Sequence, residues 1–257
     1  MRVVSLGSGS SGNALLIEAG PNGRTKILVD AGFSERILRD RLRSRGVSLS
    51  QIQAVLITHE HADHILGLPA IVKRFATPLV ADPRTLSAVE RVFASGILRS
   101  ESGTLVPLES LDGQGEYLFA GEMPNGHSML DKAIDLPVGS CHQLGDIEVI
   151  SFPVSHDAVA PCGYLLSAGG CRVCVVIDSG EVTPTMLEAM NQADLLILES
   201  NHDRERLIRG PRRIPGILEL DRRDRAVHVA GSGDGSLRAV ARGEAGNEGV
   251  RAFPVVP

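Results

Sequence analysis

Three histidines and one aspartate fall within six positions of Thr58-His59-Glu60-His61-Ala62-Asp63-His64, directly after the apolar run Ala54-Val55-Leu56-Ile57. A metal needs several nitrogen or oxygen donors converging on one point, and neutral imidazole is the commonest protein ligand for zinc-like ions. The pattern H-x-H-x-D-H offers two donor pairs, which suit two neighbouring metals better than one. The competing reading is a histidine-rich surface loop.

Three further groups of ligand type stand at the ends of apolar runs. Asp30 closes Ile27-Leu28-Val29, His156 follows Phe152-Pro153-Val154-Ser155, and Asp178 follows Val175-Val176-Ile177. Each alone reads more simply as a turn residue or a hydrogen-bonded polar group. The recurrence of one arrangement, an apolar strand followed by a ligand-type residue, favours donors gathered at a common sheet edge.

The elements that must position these groups are short. Strands are expected at 2–6, 14–18, 26–29, up to Ile57, 79–80, 147–152, 164–167, 172–177 and 195–198, with Gly, Pro and Asn at the turns. A helix is expected from the N-cap Ser34 to Ser44, closed by Gly46, and others over 68–75, 83–94 and 183–191. The histidine string is expected to be a loop, and residues 110–145 a long connection with little regular structure.

Gly7-Ser8-Gly9-Ser10-Ser11-Gly12 satisfies the G-x-G-x-x-G spacing of dinucleotide sites. That motif must open a helix, whereas Asn13 leads into the strand-like Ala14-Leu15-Leu16-Ile17-Glu18, so no nucleotide cofactor is expected. Backbone N–H groups of such a turn could still meet a phosphate oxygen.

Leu28-Val29-Asp30-Ala31-Gly32, the His59–His64 string, Ser155-His156-Asp157 and Ile177-Asp178-Ser179-Gly180 resemble the successive motifs of the metallo-β-lactamase superfamily. Ser8-Gly9-Ser10-Ser11-Gly12-Asn13 and Glu199-Ser200-Asn201-His202-Asp203 are similar to its YycJ/WalJ-like branch. The resemblance covers residues 1 to about 211. It implies an α/β fold, the four-layer αββα sandwich of two mixed β-sheets, with a di-metal site at one edge. Residues 1–211 form the expected hydrolase domain, and 212–257 an atypical Arg- and Gly-rich segment.

By the same resemblance His59, His61 and His156 hold one divalent ion, zinc or manganese, and Asp63 and His64 hold a second. Asp178 bridges the two. Asp30 orients ligands through hydrogen bonds, and Asn201 and His202 line the substrate cleft. Two adjacent cations lower the pKa of a bridging water, and the resulting hydroxide attacks phosphorus or a carbonyl without a serine or cysteine nucleophile. Asp63 is then the catalytic residue whose removal would silence the centre.

The branch's C-terminal Gly-His-Leu-Ser-Asn string, whose histidine completes the second metal, has no counterpart here. His228, in Ala226-Val227-His228-Val229-Ala230, falls roughly at its place but without its neighbours. It reads either as the replacement ligand or as a strand histidine with no special role.

The resemblance implies a phosphodiesterase acting on DNA or RNA, most like a 5′-to-3′ exonuclease. Arg204, Arg206, Arg209, Arg212, Arg213, Arg222, Arg223 and Arg225 crowd one stretch and could face phosphates, or form a solvated face balanced by Glu205, Glu219, Asp221 and Asp224. The net charge of −5 and the absence of Trp argue against a general polyanion binder that stacks bases. The alternatives are a hydrolase of small esters, thioesters or cyclic phosphates, and an inactive homologue holding one metal. No run approaches the roughly 20 apolar residues of a membrane span, so a cytoplasmic protein is expected. Four cysteines in irregular spacing do not make a disulfide framework. Cys171 and Cys174, three apart in a strand, point to opposite faces and read as buried thiols rather than a metal or redox pair.

Overall fold

The glycine turn runs into a strand, and that strand is buried along its whole length. Successive side chains of a strand point to opposite faces, so the complete burial of Leu15, Leu16 and Ile17 means that both faces of the sheet are covered here. The computed structural model describes residues 1–9, 11–99, 105–107, 128–198, 239–241 and 252–253. They divide into two compact units, Met1–Pro137 with Ala158–Ala160, and Val138–Asp157 with Pro161–Pro257.

In chain order the first unit contains β1 (Arg2–Gly7), β2 (Ala14–Ala19), β3 (Thr25–Val29), α1 (Glu35–Arg43), β4 (Ala54–Leu56), α2 (Ala62–Ile65), α3 (Leu68–Phe75), β5 (Leu79–Ala81), α4 (Pro83–Ser95), β6 (Ile97–Arg99), β7 (Leu105–Pro107) and β8 (Ile134–Asp135). One mixed sheet has the order β1-β2-β3-β4-β5-β8. The first two pairings are antiparallel, and those from β3 through β8 are parallel. β6 and β7 form a separate hairpin. Parallel neighbours end on the same edge, so the residues after β3, β4 and β5 come together, the edge at which ligands of parallel sheets gather.

Helices fix that edge by packing against the sheet. Leu38 and Leu42, four apart on α1, are fully buried with Leu28, Val55, Ile57, Ile65 and Leu68. Each such side chain contributes roughly 1.5–3 kcal/mol of burial. α4 starts at Asp82, whose carboxylate accepts from the Arg84 N–H at 2.9 Å, with Pro83 in the first turn, and ends at Gly96 with φ of 67°.

The second unit contains β9 (Cys141–Leu144), β10 (Ile147–Pro153), β11 (Cys162–Ala168), β12 (Cys171–Val176), α5 (Pro184–Asn191), β13 (Leu195–Leu198), β14 (Ala239–Ala241) and β15 (Ala252–Phe253). Its sheet has the order β15-β14-β13-β12-β11-β10-β9, and β12–β13 is its one parallel pair among the described strands. Thr183 caps α5, its hydroxyl accepting from the Met186 N–H at 3.2 Å. The helix lays Met186, Ala189 and Met190 on Phe152, Leu165, Cys174 and Val176.

The expected strands and helices occur with ends shifted by a residue or two, and three expectations change. The histidine string is not all loop, because Ala62–Ile65 forms the short helix α2. Residues 128–145 contain β8 and β9, short strands that borrow their order from longer neighbours and carry almost no periodic signal. Cys174 is buried but Cys171, at the start of β12, is only partly so. Among the described residues no helix is long and apolar enough to cross a membrane. The Arg cluster, Asn201, His202 and His228 lie outside the described residues, as does the 212–257 segment apart from β14 and β15.

Candidate metal centre

Every donor of the first unit follows a strand of its mixed sheet. Asp30 comes one residue after β3, and Thr58 and His59 come just after β4. His61 precedes α2, and Asp63 and His64 lie within it. Backbone bonds join the three segments. Ala31 N donates to His64 O at 2.8 Å, Gly67 N to Ala31 O at 2.7 Å, Asn13 N to Asp63 O at 2.7 Å and Gly32 N to Asn13 O at 2.9 Å. This packing is close enough to require glycine. A Cβ on Gly12, whose φ is 144°, would press into the Gly32 carbonyl and the Phe33 ring, and one on Gly32 would overlap the Asp63 carbonyl.

Asp30, His59, His61 and His64 are at most 1% exposed, and Asp63 is 6% exposed. The His59 ring lies 4.6 Å from that of His61 and 4.1 Å from that of His64, centre to centre. Three imidazoles so close in a buried site are a donor set suited to divalent cations.

The hydrogen bonds select the tautomers. Asp30 Oδ1 accepts from the Thr58 N–H at 2.9 Å, and Oδ2 accepts from the Thr58 hydroxyl at 2.8 Å and from His64 Nδ1 at 2.8 Å. His64 therefore carries its proton on Nδ1 and a lone pair on Nε2. The Thr58 hydroxyl has given its one proton to Asp30, so at 3.0 Å it accepts from His59 Nδ1, which puts the His59 lone pair on Nε2 as well. His64 Nε2 is 3.2 Å from Asp63 Oδ2. Asp63 Oδ1 is buried and takes no hydrogen bond among the described residues. An anionic oxygen cannot be left so in a dry site at small cost, and a metal would satisfy it.

In the second unit His156 follows β10 and Asp178 follows β12. The two loops are tied together: Gly180 N donates to Ser155 O at 2.7 Å, and Ser155 bridges Glu181. The unit thus brings His156 and Asp178 to one edge of its own sheet. Asp30 and Asp178 share a device, a left-handed backbone with φ of 60° and 54°, at the turn directly after a buried strand. Asp tolerates this conformation better than most residues, and such local strain clusters at functional sites.

Sequence reasoning assigned no role to Thr58, Glu60 or Asn13. Glu60 Oε1 accepts from the Val159 N–H at 2.9 Å, so the string also holds the 158–160 segment. A hydroxyl or amide beside a ligand carries no periodic signature. Only the position of Thr58 next to His59, and of Asn13 at the end of the glycine turn, could have pointed to them.

Two mixed sheets with helices, carrying imidazole and carboxylate donors at strand ends, define a metallo-β-lactamase-fold protein. Residues 25–245 match the family model described as Beta-lactamase superfamily domain, and the chain belongs to that family. It is 30% identical over 205 residues to the exodeoxyribonuclease YycJ of Bacillus anthracis, covering 80% of this chain and 64% of that one. It is 31% identical over 205 residues to the exodeoxyribonuclease WalJ of Streptococcus pneumoniae serotype 2 (strain D39 / NCTC 7466), with the same 80% and 64% coverage. The chain thus spans a little under two thirds of the length of these relatives. Among solved structures, zinc-bound PqqB from Methylobacterium extorquens shares the fold with a TM-score of 0.53 at 19% identity, over 78% of this chain and 73% of that one. The expected sandwich class and its YycJ/WalJ-like branch are therefore those found.

Proposed function

We propose that the chain is a di-metal-dependent phosphodiesterase that degrades DNA from an end. His59, His61 and His156 would hold one ion, Asp63 and His64 the other, with Asp178 between them, the ions being zinc or manganese. The observation that carries this reading is His64, whose Nδ1 is held by the Asp30 carboxylate at 2.8 Å and whose Nε2 lone pair lies 3.2 Å from Asp63 Oδ2, two electron-pair donors side by side that a cation would satisfy together. A carboxylate on the far nitrogen orients an imidazole and raises its basicity toward a metal, which is the common support of a ligating histidine.

Bound divalent ions would supply an activated water and neutralise charge developing on a phosphate. The chain's own groups prepare for this. Thr58 relays the Asp30 carboxylate to His59, Asp30 itself holds His64, and the donors of the first unit are buried. The exodeoxyribonuclease names of YycJ and WalJ support DNA as substrate.

The test is digestion of end-labelled single- and double-stranded DNA with manganese, beside Asp63→Ala. The expected result is progressive shortening by the wild type and a loss of roughly 100-fold or more in the variant. Equal cleavage by both would overturn the assignment. Hydrolysis of a thioester or cyclic phosphate with no action on DNA would move the substrate class and keep the centre. A single bound equivalent with no hydrolysis would favour the inactive homologue.

A further inference from the structure

The Asn13 side chain closes the glycine turn and reaches Asp63 and His64. It is 1% exposed. Its Oδ1 accepts from the Gly9 N–H at 3.0 Å, which fixes the amide so that Nδ2 faces α2. Nδ2 lies 2.9 Å from Asp63 Oδ2, 3.1 Å from His64 Nε2 and 3.4 Å from Gly9 O. An amide nitrogen has two hydrogens, and three acceptors surround this one. The His64 contact is the one that a metal would replace, because His64 Nε2 carries a lone pair, whereas Asp63 Oδ2 can keep its hydrogen bond while Oδ1 binds.

The backbone of Asn13 is tied to the same place, its N–H to Asp63 O and its carbonyl to Gly32 N. A neutral donor suits the task. A lysine or arginine there would compete with the ion for Asp63, and an apolar side chain would leave Oδ2 buried without a partner.

We propose that Asn13 is a positioning residue for the metal at Asp63 and His64. It holds Asp63 by Oδ2 so that Oδ1 is presented to the ion, and it gives up its contact with His64 Nε2 when the ion enters. This rests on the di-metal reading above. It extends that reading by giving the Ser8–Asn13 turn a task at one of the two ions.

The experiment is zinc titration of the metal-free full chain, wild type and Asn13→Leu, followed by calorimetry and by nitrogen NMR of the histidine rings and the Asn13 amide. The amide signal is assigned by its loss in Asn13→Asp. In the wild type the Asn13 amide is expected to shift with the same equivalent that moves the His64 ring, and apart from the equivalent that moves His61. In Asn13→Leu the His64 equivalent weakens at least about tenfold, the usual effect of removing a group that supports a ligand, and the His61 equivalent is unchanged. The melting temperature of the metal-free variant reports whether it folds, and the wild-type amide shift stands as a test if it does not.

Two equivalents held by Asn13→Leu with wild-type affinity, or a wild-type amide that follows His61 or does not shift, would overturn the inference. Fewer than two equivalents in the wild type would instead overturn the di-metal reading on which it rests.

Discussion

Asp30 Oδ2 lies 2.8 Å from His64 Nδ1, and both side chains are completely buried. The pair joins the end of β3 to the middle of α2, thirty-four residues on. With the Thr58 hydroxyl on the same oxygen it sets which nitrogen of two imidazoles carries a lone pair. A backbone turn with positive φ puts the carboxylate there, so position and chemistry are one feature.

Asp30→Asn tests that feature. The amide would keep an acceptor for the Thr58 N–H but turn a donor toward His64 Nδ1, forcing the ring proton to Nε2, where the metal should bind. Metal affinity is expected to fall roughly 10–100-fold, with a stability loss of about 1–3 kcal/mol from the broken buried network. Metal analysis after dialysis and urea unfolding measure the two. Unchanged affinity would show that the tautomer does not depend on Asp30.

Gly32→Ala tests the close approach of the three segments. The added methyl overlaps the Asp63 carbonyl oxygen, a backbone atom that cannot rotate away, and crowds the Asn13 backbone. A destabilisation of about 3 kcal/mol or more is expected, because α2 must shift. Thermal unfolding checks it, and a melting temperature equal to wild type would mean that the loop has room the structure does not show.

Cys174 gives an alkaline signature. Burial pushes its thiol from 9.0 up to about 12. Below pH 9 the thiol is protonated in both folded and unfolded chains and adds no pH dependence. Between about pH 9 and 12 the unfolded chain loses this proton while the folded one retains it, so stability falls as pH rises, by up to roughly 4 kcal/mol. Cys174→Val should flatten that part of the urea-unfolding profile. A thiol reagent at pH 8 should label the exposed Cys141 and spare Cys174 in the folded chain. Rapid labelling of Cys174 would contradict its burial.

Much of the architecture was legible in the chain. Fully buried strands such as β4 and β5 are continuous apolar runs, and α1, α3, α4 and α5 have apolar spacing with Ser, Pro, Asp or Thr at their starts. β8 and β9 were not legible, because strands of two and four residues hold no period of their own. α2 was hidden for a related reason: it is only four residues long, and two of them, Asp63 and His64, are read for chemistry before helix propensity.

The residue types and spacing of the His59–His64 string, and the acid or imidazole after each of three apolar runs, by themselves supplied a donor set of metal-ligand type and carried the resemblance to the metallo-β-lactamase family. Donor identity is a local property and survives in one dimension. Which nitrogen of His64 carries the proton, and that Asn13 and Thr58 brace Asp63 and His59, was decided only by the tertiary structure. Those contacts join residues up to 50 positions apart, and they exist because the start of β2 and the ends of the parallel strands β3 and β4 share one edge. No short window of sequence contains that edge.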